Sequence, residues 1–263
     1  MNKVIHGDCL EVMPTLPEKS IDMVLCDLPY GTTACKWDTV IPFEPLWLQY
    51  KRLIRDNGAI VLFGSEPFSS LLRMSNLKDY KYDWIWKKNY GSGSFHVKYK
   101  PLQYHEIISV FCKKTPIYNP QYEKYSDSVI ERFSGNPKVN NKNQREKATT
   151  SIYGITQDKQ KEYFFKRGKY PSSLLDFKCV CIANKNKLHP TQKPVDLFEY
   201  LIKTYTNEGK TVLDNCAGSG TTAIACLNTN RNYILIEKEK EYIDKTNKRI
   251  AEHEQQQTLF DKN

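Results

Sequence analysis

Short apolar runs alternating with amphipathic stretches leave this chain few folds to choose from. VIHG (4–7), IDMVLCD (21–27), AIVLFG (59–64), TVLD (211–214) and NYILIE (232–237) read as strands, and YDWIW (82–86) and EIISVFC (106–112) add two more. Between them, 8–16, 43–55, 66–76, 195–205, 221–228 and 239–254 carry helical spacing. Pro14 and Pro17 close the first helix, Asn57-Gly58 stops the second, and Pro67 opens the third. In 195–205 the spacing turns Leu197, Leu201 and Ile202 towards the core. Strands alternating with helices predict an α/β protein with a doubly wound, mostly parallel sheet. Such sheets bind ligands outside the carboxyl ends of their strands. Attention therefore falls on Asp27, Asp214, Glu237 and the Gly7-Asp8 pair.

Composition narrows the function classes. At 263 residues, 40% apolar and 26% charged, the chain is too apolar for a disordered protein and long enough for a sizeable core. No apolar run approaches the roughly 18 residues of a membrane span, and MNKVIHGDCLEVM lacks the features of a secretory signal. The eight cysteines are scattered and form no CxxC pair, as expected of reduced thiols in a cytoplasm. Cys179, Cys181 and His189 lack a fourth ligand and a usual zinc spacing, so no metal is expected. The charge is uneven: residues 113–193 hold 17 Lys and Arg against 7 Asp and Glu, a net of +10 in a chain of +9. Tyr118, Tyr122, Tyr125, Phe133, Tyr153, Tyr163, Phe164, Phe165 and Tyr170 are interleaved with those cations. Cations for phosphates, amides for base edges and rings for stacking suit a nucleic acid, although the charge alone equally suits a solvated insertion.

Two strand ends carry chemistry. VLDNCAGSGTTAIA runs from strand to Asp214, through a loop with Gly218 and Gly220, into a helix beginning at Thr221. Glycines let the backbone approach a ligand, and two carboxylate oxygens on Glu237 can accept both hydroxyls of a ribose. This is a nucleoside half-site. No GK[ST] follows the second glycine and the GxGxxG spacing is absent, so phosphate-loop and dinucleotide readings fail; a glycine-rich tight turn stays open. The other end is Asp27-Leu28-Pro29-Tyr30. An exocyclic amino group on a base is a poor nucleophile, because its lone pair is delocalised into the ring. A carboxylate and a backbone carbonyl that each accept one N–H hold the nitrogen towards sp³ geometry, while a tyrosine ring stacks on the everted base. Taken alone, such a turn is more often a plain loop.

Together these segments resemble the amino methyltransferases of DNA, marked by a [D/N/S]-x-P-[Y/F] turn and a glycine loop for S-adenosylmethionine. Catalytic turn first, basic insertion second and glycine loop last is the order of the beta class, and the similarity spans nearly the whole chain. His6-Gly7-Asp8-Cys9, the NGAIVLFGSEPFSS segment and His189-Pro190-Thr191-Gln192-Lys193-Pro194 match further family segments. Leu28 replaces the family's usual Pro, and Asp214-Asn215-Cys216 replaces DPF. The resemblance implies the S-adenosylmethionine-dependent methyltransferase fold and methyl transfer to N6 of adenine in double-stranded DNA, leaving S-adenosylhomocysteine. Asp rather than Ser at position 27 favours adenine. The alternatives are N4 of cytosine, an RNA base, or a DNA-binding relative without catalysis.

The same resemblance assigns roles. Asp27 and the Pro29 carbonyl would grip the amino group and Tyr30 would stack on the base. The cofactor would lie across Asp214, Cys216, Ala217, Gly218, Ser219, Gly220, Thr221 and Thr222, with Glu237 on its ribose and Asp8 and Cys9 near its adenine. Asp27 would border the cofactor, with Thr191 and Lys193 at its carboxylate end. Residues 1–112 and 189–255 would form the catalytic domain, 113–188 the target-recognition insertion and 256–263 a tail. Lys36, Trp37 and Asp38 and the loop 89–101 would close on DNA, although a merely structural role fits them equally. A bacterial or phage-encoded cytoplasmic enzyme is expected, with a homodimer left open. Gln256-Gln257-Thr258-Leu259-Phe260 resembles peptides that dock on the bacterial sliding clamp, although a frayed amphipathic tail explains it as well.

Overall fold

The computed structural model describes residues 2–32, 38–126, 128, 168–180 and 192–260, without the side chains of 258–260. The chain divides into two compact units, Met1–Asn119 with Ser173–Asn263, and Pro120–Ser172. In the smaller unit Glu123 and Lys169 form an antiparallel bridge, and the rings of Tyr122 and Tyr170 meet edge to face at 5.1 Å. Most of the basic stretch, including Phe133, Tyr153, Tyr163, Phe164 and Phe165, lies outside the described residues.

The larger unit is built on one eight-stranded sheet. Its strands are β1 (Lys3–His6), β2 (Ile21–Cys26), β3 (Ile54–Gly64), β4 (Tyr80–Ser92), β5 (Gln103–Phe111), β6 (Leu174–Asp176), β7 (Thr211–Asp214) and β8 (Asn232–Glu237). Their order is β1-β8-β7-β2-β3-β5-β4-β6, parallel from β1 through β3, with β5 antiparallel to both β3 and β4. Among the described residues of this unit the α-helices are α1 (Cys9–Val12), α2 (Phe43–Leu53), α3 (Phe68–Ser75), α4 (Val195–Tyr205), α5 (Thr221–Asn228) and α6 (Lys240–Phe260). The doubly wound α/β expectation holds.

Every residue of β2 is buried, because cores pack on both faces of the sheet. Met23, Leu25, Val61 and Phe63 join α4 on one face, while Val24, Cys26 and Leu62 join α2 and α3 on the other. Leu197, Leu201 and Ile202 are fully buried, as their spacing predicts. Asp22 interrupts this apolar strand at its start. It accepts a hydrogen bond from the Thr211 amide at 3.0 Å and pairs with Arg55 at 3.2 Å.

Several elements differ from the expectation. The first helix is α only over Cys9–Val12 and tightens to a 3-10 turn over Met13–Thr15, and β4 runs past 86 into the expected loop as far as Ser92. Asn57-Gly58 does not stop a helix: α2 ends at Leu53, and β3 begins at Ile54 and runs through the pair. Ile21 pairs with Ile54 but Met23 with Ala59, so a bulge in β3 absorbs the extra residues. Gly58 is needed there because a Cβ would lie 2.7 Å from the Asp22 carbonyl oxygen. The short strand β6 gave no sequence signal and is held by parallel pairing to β4. α6 extends through Phe260, so residues 256–260 continue a helix. No helix of the described residues is long and apolar enough to cross a membrane.

The order also fixes where a ligand can sit. From β2 the chain crosses one way to β3, and from β7 the other way to β8, so neighbouring strands β2 and β7 flank a topological switch point. Asp27 follows one of them and Asp214 ends the other.

Candidate active site

The carboxylate of Asp27 is engaged at both oxygens. Tyr30 donates its hydroxyl to Oδ1 at 2.5 Å, and Lys193 donates Nζ to Oδ2 at 2.6 Å. Lys193 is 7% exposed and also lies 3.1 Å from Oε2 of Glu106 on β5. Glu106 in turn pairs with Lys88 at 3.2 Å. Two carboxylates and two ammonium groups thus form a charge-balanced chain. Burial raises the Asp27 pKa more than Lys193 lowers it. Burial also works against ionised Glu106, but Lys193 and Lys88 hold it below the usual carboxylate range. Lys193 stays cationic: burial opposes its charge, and Asp27 and Glu106 outweigh that.

The turn around Asp27 is held from both sides. The Tyr30 ring packs on Phe68 with centroids 5.1 Å apart, and the Lys193 ammonium lies 5.9 Å from the Tyr30 centroid. Buried Asp38 accepts from the amides of Gly31 and Thr32, each at 2.9 Å. Asp38, in the loop expected either to close on DNA or to be structural, thus clamps the backbone that follows the Asp27 turn. Lys36 and Trp37 lie outside the described residues. None of the described residues donates to the Pro29 carbonyl, which leaves an acceptor next to Asp27.

At the glycine loop, Gly218 and Gly220 take φ of +51° and +71°, the left-handed region that favours glycine. A Cβ on Gly220 would come within 2.6 Å of Thr246 Cγ2 on α6. Glu237 accepts from the Gly218 amide at 2.7 Å and the Glu239 amide at 2.9 Å. Each of its oxygens keeps lone-pair capacity for a ribose hydroxyl. Asp8 caps α1 through the Leu10 amide at 2.9 Å and pairs with Lys238 at 3.2 Å, beside the end of β8. The open glycine backbone and the carboxylate at the strand end fit a nucleoside cofactor.

Other expected contacts point elsewhere. Thr222 is fully buried and donates its hydroxyl to Asp214, whose second oxygen accepts from the Cys216 amide at 3.1 Å. Burial pushes the Asp214 carboxyl up to about 6. This pair shapes the loop from below. Ala217 bonds back to the Ile236 carbonyl, and the Ser219 carbonyl accepts from Arg249 at 2.8 Å. The Cys216 thiol pairs with those of Cys9 and Cys26, and burial pushes the Cys26 thiol up to about 12. Lys193, expected at the cofactor's carboxylate end, has its ammonium on the Asp27 carboxylate. Thr191 and His189 lie outside the described residues.

Glu106, Lys88, Thr246 and Arg249 escaped the sequence reading. For Glu106 a signal existed: one acid opens the apolar run EIISVFC, where an unpaired charge would be costly. Lys88 is turned inward by a bulge in β4, where the register shifts between Lys87 and Ser92, and no local pattern announces that.

The DNA methylase family model N6_N4_Mtase matches residues 21–248. Type II methyltransferase M.HpaI of Haemophilus parainfluenzae is 30% identical over 264 residues, an alignment covering 94% of this chain and 74% of that protein. DNA adenine methyltransferase YhdJ of Escherichia coli is 27% identical, with 91% of this chain and 79% of that protein covered. The crystal structure of the M1.HpyAVI–SAM complex is similar at a TM-score of 0.61 and 25% identity, covering 95% of this chain and 99% of the other.

Proposed function

The chain belongs to the N6/N4 DNA methylase family, and from that premise we propose that it methylates N6 of adenine within a specific sequence of duplex DNA. Its methyl donor is S-adenosylmethionine, which when bound supplies an electrophilic methyl group on a sulfonium. One observation carries the reading. Lys193 donates its ammonium to Asp27, while its backbone carbonyl accepts from Thr221 at the start of α5, at 3.4 Å. That bridge supports the reading that the Asp27 turn and the glycine loop serve one site.

Asp27 accepts one N–H of the adenine amino group and the Pro29 carbonyl accepts the other, which exposes the nitrogen lone pair. In the free chain the Lys193 ammonium donates to Asp27 as that amino group would. Glu106, already 3.1 Å away, receives the ammonium when the base arrives. Placement supplies most of the acceleration. The Asp27 carboxylate, whose burial favours protonation, would take the proton that the amino nitrogen sheds once methylated. Tyr30 holds the base by its ring, worth about 1–3 kcal/mol against the cost of unstacking it. Glu237, Asp8 and the 214–222 loop would hold the donor.

Transfer of a radiolabelled methyl group to duplex DNA, followed by nucleoside analysis, tests this. N6-methyladenine is expected; label in N4-methylcytosine, in RNA only, or nowhere would each replace the reading. Asp27→Ala should abolish transfer while cofactor affinity stays within a few-fold, and a fully active variant would remove Asp27 from the mechanism. A bacterial cytoplasm, a homodimer and a clamp contact through Gln256–Phe260 complete the proposal. For the clamp contact, equal recovery of the whole chain and one truncated at 255 on immobilised clamp would dismiss it.

A further inference from the structure

Strands β4 and β5 form a hairpin whose root lies in the site and whose tip leaves the sheet beyond it. At the root, Lys88 and Glu106 belong to the ion chain that ends on Asp27. β5 runs antiparallel to β3, with Ile107 opposite Gly64, and Gln103 Nε2 reaches Ser65 Oγ at 3.0 Å just past the end of β3. The connection 93–102 therefore projects from the same edge as Asp27.

Its tip is built, not slack. Gly93 turns the chain at φ +89°, and the His96, Tyr99 and Lys100 amides bond back to Gly93 and His96 carbonyls at 2.9–3.0 Å. This short frame holds Phe95 96% exposed and Tyr99 88% exposed, flanked by exposed Lys98 and Lys100. Between Lys87 and His105 the sequence contains no acid. A flat apolar ring held in water on a cationic tip, beside a cleft that takes an everted base, matches the gap such a base leaves. Lysines meet phosphates, and an apolar wedge enters between base steps.

We propose that Phe95 is the wedge that fills the base stack of duplex DNA vacated by the everted adenine, with Lys98 and Lys100 on the flanking phosphates. Phe95 is a positioning residue: it holds the base out rather than touching it. This inference rests on the adenine-methylation reading. The test uses the full chain and a duplex bearing the site located by methylome sequencing. In one duplex 2-aminopurine replaces the target adenine; in another the target adenine faces an abasic position.

Phe95→Ala should lose most of the 2-aminopurine fluorescence rise and about tenfold or more of kcat/KM on the matched duplex, the scale of one lost stacking contact. It should recover to within a few-fold of wild type on the abasic-opposed duplex, where little stacking resists eversion. Phe95→Trp should retain both signals, and Tm and cofactor affinity should not change. Matched-duplex eversion and transfer equal to wild type would overturn the wedge, as would an equal loss on both duplexes. A wild-type chain that transfers no methyl group to adenine would instead overturn the reading beneath it, and the wedge with it.

Discussion

At the residue scale, Asp27 is set by three neighbours, of which Tyr30 alone lies near it in sequence. Lys193 and Glu106 come from distant segments, and in the proposed cycle they decide when the carboxylate is free. Glu106→Gln should leave Lys193 bound to Asp27 without an alternative partner. We expect kcat for methyl transfer to fall by roughly ten- to a hundredfold, about 1.4–2.8 kcal/mol in the barrier, with cofactor affinity within a few-fold. A kcat equal to wild type would remove Glu106 from the cycle. The pH profile reads the same network. Burial raises the pKa of Asp27, and the Glu106 charge adds to that. The ionised form is the working one, so the acid limb of kcat/KM should lie above the ~3.9 of an exposed Asp. Glu106→Gln should move that limb to lower pH by removing the neighbouring negative charge. A limb that does not move would contradict the coupling.

At the scale of elements, the glycine loop shows how backbone shape makes a site. Gly220 combines φ +71° with a Thr246 methyl 2.6 Å from where a Cβ would stand. Gly220→Ala should cost about 1–3 kcal/mol of stability and weaken cofactor binding at least tenfold, measured by denaturant unfolding and calorimetric titration. Unchanged affinity would show that the loop tolerates a shift and is not shaped for a ligand. The glycines were legible in the sequence because their type announces the conformation. Thr246 was not, since α6 reaches the loop only through packing. The bulges in β3 and β4 escaped for the same reason: a bulge is set by the partner strand's register, and Gly58 and Gly91 mark it only once the neighbour is known.

For the whole molecule, the excess positive charge outside a nearly neutral remainder gives a measurable expectation. DNA affinity should fall with salt, losing about 0.9 log units per log of salt for each phosphate neutralised. Replacing Lys98 and Lys100 by alanine should shallow that slope by up to about two such steps, as filter binding over a salt series would read; an unchanged slope would place the tip away from phosphates. The sequence by itself determined the α/β class, α4, α5, β7 and β8 to the residue, the Asp27 turn and the glycine loop, because periodicity and residue type act locally. Only the tertiary structure decided that Lys193 joins the two strand ends, that Glu106 and Lys88 balance it, that Thr222 and Asp214 face inward, and that the β4–β5 tip leaves the sheet beside the site. Those facts depend on which side chains a fold brings within a few ångströms across long sequence separations, and spacing along a chain carries no record of that.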